Sequence, residues 1–117
     1  MKATYVRVIA KLNCQTIAPE TLAGRCARLY DADALSDDFL SSSMVAPDGT
    51  ARFLFDLSAS RSLDSLFETR PDLYCIVSAE DGRMLYRSQV HSNTDFLGID
   101  PTSGEQHRTV QIEFHEA

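Results

Sequence analysis

The chain has 117 residues, 44% of them hydrophobic and 24% charged, with 17 acidic against 11 basic side chains and a formal charge of −6. That is one domain, long enough to bury a core without disulfide staples. The acidic balance argues against a nucleic-acid partner, which needs a basic face, and against simple electrostatic attachment to anionic membranes unless bound cations reverse the local charge.

The opening MKATYVRVIAKLNC places Lys2 before a run broken by Arg7 and Lys11. No stretch has signal-peptide or transmembrane length, so a cytoplasmic protein is expected. Residues 3–12 alternate, with Val6, Val8, Ala10 and Leu12 on one side and Tyr5, Arg7 and Lys11 on the other. Period two predicts a half-buried strand. PETLAG (19–24) reads as a connection. A second strand follows over 24–31, with Ala27 and Leu29 on one face and Cys26, Arg28 and Tyr30 on the other. FLSSSMVA (39–46) predicts a serine-rich edge strand, and Pro47-Asp48-Gly49 a turn. The fourth strand, 51–57, points Phe53, Phe55 and Leu57 inward. A short helical turn is expected near 62–68, ended by Pro71. DLYCIVSA (72–79) is apolar on both faces, as a central strand is. Glu80-Asp81-Gly82 reads as a hairpin turn, 83–90 as the sixth strand, 91–105 as a long loop, and 106–114 as the seventh strand with Val110, Ile112 and Phe114 inward.

Seven strands with regular turn signals predict an all-β, two-sheet antiparallel sandwich of immunoglobulin-like or prealbumin-like kind. The expected core includes Val8, Leu29, Phe53, Phe55, Leu73, Val77, Val110 and Ile112. The whole chain, 1–117, reads as a single domain with no repeat and no linker.

The segments RCARLYDADALSDDFLSSSMVAPDGTARFLFDL and RPDLYCIVSAEDGRMLYRS carry a set of landmarks in order: Leu29 to Asp33, Asp37 to Leu40, Asp48 to Phe53, Pro71 to Tyr74 and Asp81-Gly82. Together they resemble the transthyretin-like family, particularly its nematode-type and bacterial members, over about residues 20–90. Ala46 stands where that family often has Thr, and Ser41 where it usually has Gly. The resemblance implies a prealbumin-like sandwich that binds rather than catalyses. One enzyme branch hydrolyses 5-hydroxyisourate with histidines, an arginine and a C-terminal Tyr-Arg-Gly-Ser. This chain ends IEFHEA, and its Tyr86-Arg87-Ser88 is mid-chain, so that activity is not carried over. Thyroid-hormone binding depends on a tetramer channel that nothing in the sequence specifies.

Asp31, Asp33, Asp37 and Asp38 fall close together between two strands. Aspartates shape tight loops by accepting backbone N–H bonds, which is the first reading. The second is a cation site with these four as candidate ligands and calcium as the ion. Calcium takes about six to eight oxygens, more than one such loop supplies. An EF-hand is excluded, because Leu35, Ser36 and Ser42 occupy the positions needing Asp or Asn, Gly and Glu. An up-and-down strand count makes Asp64, Glu68, Asp72, Asp95 and Asp100 neighbours of the loop. A calcium-dependent C2-like module is therefore the rival reading, with Phe39 and Phe96 as membrane tips, although Phe39 is expected in the core.

His107 and His115 share one face of the last strand, separated by about 27 Å at about 3.4 Å per residue, too far for one metal. They and His91 are expected at the surface. Cys14, Cys26 and Cys75 are odd in number, far apart and without a CxxC, so reduced thiols are expected. Parity puts Cys26 outward and Cys75 inward, unbridged. No Gly-x-Ser-x-Gly, P-loop or HExxH occurs. A non-enzymatic binding or interaction module is expected, without a catalytic residue or cofactor. Tyr5, Tyr30, Tyr74 and Ile76 point outward and offer a sheet-face interface, and strand edges offer another. The partner is expected to be protein, with a homodimer as the simplest case.

Overall fold

Alternation along the first strand is realised in the backbone: Val6, Val8, Ala10 and Leu12 are buried while Arg7 and Lys11 are exposed. The same logic builds seven strands in the computed structural model, which describes residues 4–32, 37–56, 72–92 and 106–117. These are β1 (Thr4–Asn13), β2 (Cys26–Asp31), β3 (Asp38–Met44), β4 (Thr50–Asp56), β5 (Leu73–Ser78), β6 (Met84–Arg87) and β7 (Gln106–His115). A four-residue helix, α1 (Pro19–Leu22), opens on Pro19 and is anchored by the buried Leu22. Proline suits the first helical turn, where an N–H would lack a partner. The helical turn expected near 62–68 and Leu57 lie outside the described residues.

Two sheets pack face to face, with strand orders β4-β1-β7 and β3-β2-β5-β6. The all-β sandwich is as the sequence predicts, and β3 stands at an edge with β5 inside its sheet. One feature departs from the antiparallel expectation: β1 and β7 pair in parallel from Thr4↔Gln106 to Asn13↔His115. Alternation itself requires this. Strands that go up and down in turn run the same way when both are odd-numbered, so β1 and β7, once neighbours, must be parallel.

The core lies between the sheets and includes Val8, Leu29, Phe53, Phe55, Leu73, Val77 and Ile112, with Val110 partly buried against it. Leu22, Tyr86 and Phe114 complete its largest fully buried side chains alongside Phe53. Phe39 corrects the expectation that it belongs to the core: it is 56% exposed. The β2–β3 register shifts between Leu29 and Tyr30. That bulge buries both Leu40 and Ser41 and sets Phe39 opposite Tyr30 on the outer face. A bulge breaks the period-two rule locally.

Both tight hairpins use one design. Gly49 N–H donates to Ala46 C=O (2.9 Å) and Gly82 N–H to Ala79 C=O (2.9 Å). Both glycines have positive φ, 86° and 85°, as a type I turn followed by a left-handed residue requires. The aspartate before each glycine accepts the N–H two residues on, Thr50 for Asp48 (3.0 Å) and Arg83 for Asp81 (3.0 Å).

The sandwich is closed at two corners. Val45 bridges Ala51 between β3 and β4, and Ser41 Oγ donates to Leu54 C=O (2.9 Å). At the other corner Gln89 N–H donates to His115 C=O (2.7 Å) and Ala117 N–H to Arg87 C=O (2.9 Å), so the segment after β7 pairs with the far edge of β6. Glu116 reaches back and accepts N–H bonds from Gln15 (3.0 Å) and Thr16 (3.2 Å).

Candidate functional site: the outer face of the four-stranded sheet

Strand parity aims Cys26, Arg28 and Tyr30 of β2 away from the core, and register puts other outward side chains beside them. Tyr30 lies between Phe39 of β3 and Tyr74 of β5, Arg28 between Ser42 and Ile76, and Cys26 between Met44 and Ser78. On β6, Arg87 pairs with Ile76 and Met84 with Ser78. The result is three rows: an aromatic one across three strands at the aspartate end, and an arginine-bearing one in the middle and a sulfur-bearing one at the hairpin end that each cross all four.

The aromatic row is continuous. Tyr30 stacks on Tyr74 with ring centroids 5.2 Å apart and planes at 15°. Phe39 meets Tyr30 edge-on at 5.9 Å. The Arg87 guanidinium carbon sits 4.9 Å from the Tyr74 ring centroid. Offset stacks, edge contacts and cation–π pairs each add to simple area burial. Tyr74 is covered almost completely by these neighbours although it points away from the core. Its hydroxyl donates to Asp37 Oδ2. Burial first, then the Asp37 hydrogen bond and charge, push its pKa up to about 12.

The expected sheet-face group divides. Tyr30, Tyr74 and Ile76 share this face, while Tyr5 lies on β1 in the other sheet. Sequence reading missed Phe39, Met44, Met84 and Arg87 as members. Parity alone would have found Met44, two residues beyond Ser42; Phe39 was hidden by the bulge.

The aspartates are partly gathered. Asp31 ends β2 directly across from Asp38 at the start of β3. Asp37 stands exposed beside them and is held by Tyr74. Asp72 joins through its backbone, its C=O accepting Ala32 N–H at 2.7 Å. Asp33, Asp64, Glu68, Asp95, Asp100 and Phe96 lie outside the described residues. Among the described residues, no group of three or more His, Cys, Asp or Glu could hold a metal ion.

His91 is half-buried, its ring edge-on to Phe114 at 6.2 Å. Its backbone exchanges both hydrogen bonds with Leu73, at 3.0 and 2.7 Å. His115 is exposed; the His107 side chain is outside the described ones. Cys26 is exposed and Cys75 buried on opposite faces of their sheet, as parity requires, and neither is in a disulfide. Burial pushes the Cys75 thiol up to about 12, which keeps it protonated and unreactive. Among the described residues, no helix is long and apolar enough to cross a membrane.

No family model matches the chain. No curated protein matches it. Among solved structures, the chain is similar to a 9R-lipoxygenase from Cyanothece PCC8801 at 12% identity and a TM-score of 0.44. The match covers 95% of this chain and 16% of that one. A likeness at that level carries no argument about function.

Proposed function

We propose that this domain is a non-enzymatic protein-binding module that works through the outer face of its four-stranded sheet. One observation carries the reading. Of the five large apolar side chains exposed among the described residues, Phe39, Met44 and Met84 lie on this one face. They frame Arg28 and Arg87, the pairing that protein interfaces favour, with aromatic, Met and Arg side chains together. The transthyretin-like landmarks from Leu29 to Gly82 support the same reading, since that family's sandwich works chiefly by binding.

The charge of the face indicates its partner. Arg28 and Arg87 stand against Asp37, which is already engaged by Tyr74. Two copies meeting face to face would set the Arg28 and Arg87 guanidinium groups of one copy against those of the other. A partner with apolar side chains and carboxylates fits better than a second copy.

A photo-crosslinking residue at Ser42, central and exposed, tests this against one at Thr109 on the other sheet. The reading expects a discrete adduct from position 42 alone, lost when Arg28 and Arg87 are changed to Glu. An adduct of twice the chain's mass makes the partner a second copy. Equal labelling from both positions refutes the face.

The second reading is a calcium-dependent C2-like module using Asp31, Asp33 and Asp37. Its support is the register that sets Asp31 across from Asp38 with Asp37 alongside. It needs further oxygen ligands from outside the described residues.

A further inference from the structure

We infer, resting on the protein-binding reading, that the occupant of this face is an acidic amphipathic helix of the partner, lying lengthwise over β5. Backbone accounting selects the helix. A segment laid on a sheet face meets side chains there and no open edge. Its own N–H and C=O groups, once out of water, must be satisfied from within. A helix does this for its interior residues, whereas an extended strand does not. Extended segments suit sheet edges instead.

The face has the shape for one helix. Tyr74, Ile76 and Ser78 of β5 point outward, alternating with the buried Cys75 and Val77. Tyr74 is covered by Tyr30 and Arg87. Beyond it, Ile76 stands between Arg28 on β2 and Arg87 on β6, and Ser78 between Cys26 and Met84. Shorter side chains on β5, with an arginine rooted on each side, make a trough along that strand. Its walls start two strand spacings, about 10 Å, apart, close to the width of a helix with its side chains, about 10–12 Å. At the hairpin end the trough widens over Cys26 into a cleft of about 220 Å³, lined by Cys26, Met44, Ser78 and Ala79 among others. Such a recess takes an apolar anchor, the kind of contact that carries most of an interface's energy.

Charge sets the pattern of the helix. Arg28 and Arg87 are exposed, and among the described residues neither is held in an ion pair. Carboxylates are favoured only in this middle row, because Asp31, Asp37 and Asp38 border the aromatic end and Glu80 lines the cleft. From Tyr74 to Ser78 the strand advances about 14 Å, at about 3.4 Å per residue. Eight helical residues rise about 12 Å. The matching segment has three apolar residues four apart, with an acid on each side of the middle one. At about 100° per residue those two acids fall on opposite flanks of the apolar ridge, one toward Arg28 and one toward Arg87.

The test uses a fluorescein-labelled peptide of about 18 residues, long enough to be helical alone. It carries Leu-x-x-Glu-Leu-Glu-x-x-Leu at its centre, with alanine and glutamine elsewhere, and is titrated with the whole chain by anisotropy. Saturable binding is expected. Arg28→Glu with Arg87→Glu should weaken it about tenfold or more, whereas Arg52→Glu, exposed on the other sheet, should leave it unchanged. A peptide with both glutamates replaced by lysine should prefer the double variant to the native chain. All three substitutions are at exposed positions, and thermal melts check that each variant folds. Equal binding of a peptide with proline beside the central leucine, which breaks the helix, would overturn the helical form. Undiminished binding in the double variant would overturn the placement. A probe that fails to bind while position 42 still crosslinks a protein would sink the helix and leave the protein-binding face standing. Failure of both would remove the face as well.

Discussion

The Tyr74 hydroxyl shows how one side chain can belong to a surface and still be buried. It is covered by Tyr30 and Arg87 and donates to Asp37, so its ionised form is opposed by burial and by a neighbouring carboxylate. Its pKa rises from 10.0 to about 12. A neutral form stabilised by folding contributes fully below the unfolded value and is lost as pH rises through the folded one. Alkaline destabilisation between pH 10 and about 12 should therefore be shallower in Tyr74→Phe than in the native chain, as read by denaturant melts across that range. The same variant should remove one late-ionising tyrosine from the ultraviolet titration. Phe39 and Phe53 give a second contrast at this scale. Phe53 is fully buried, and Phe53→Ala should cost about 3–5 kcal/mol in denaturant unfolding. Phe39→Ala should cost less than about 1 kcal/mol, losing mainly an exposed ring contact with Tyr30. An equal cost for both would return Phe39 to the core. Alternation predicted it there because nothing in the letters DDFLSS marks where an extra residue enters the strand.

Among elements, the loop after β1 depends on a residue about a hundred positions away. Glu116 accepts N–H bonds from Gln15 and Thr16 and a hydroxyl bond from Thr16. The Thr16 hydroxyl above all, then the Gln15 N–H, holds its carboxyl below the usual 4.5. A depressed carboxylate stabilises the fold above its unfolded pKa, and that stabilisation is lost as pH falls through the folded value. The difference in melting temperature between the native chain and Glu116→Gln should be full at neutral pH and close only below pH 4.5. A gap that persists in acid would assign the effect to packing rather than charge. The hairpins were the most legible elements, because Asp-Gly before an alternating run states both the turn and the left-handed residue in the sequence itself. The four-residue α1 was not legible: its anchor, Leu22, declares itself only once the sheets beneath it exist.

At the scale of the whole molecule, seven alternating segments were enough to predict the sandwich, and the odd-numbering rule then makes the parallel pair of β1 and β7 a necessity. The candidate face was less legible. Its members come from four strands, and adjacency between Tyr74, Tyr30 and Phe39 is a matter of register that no local pattern states. The aspartates drew attention because they are contiguous in sequence, whereas the aromatic row is contiguous only in space. A thermal melt in chelator and in millimolar calcium separates the two readings of this end. The protein-binding reading expects no shift. A rise toward about 2.7 kcal/mol at a hundredfold excess over Kd, lost in Asp31→Asn with Asp33→Asn, would favour the calcium-dependent module instead.

The parallel pairing also governs how the chain is made. β1 pairs with residues 102 positions further along, so the three-stranded sheet has an open side until β7 has been synthesised. During that interval β1 is flanked only by β4, and its other edge presents unpaired backbone beside Val6, Val8 and Ala10. Such an edge recruits strands from other chains. The nascent chain is therefore most exposed to aggregation between the synthesis of β4 and that of β7, and a ribosome stalled in that interval leaves a template rather than a closed sheet.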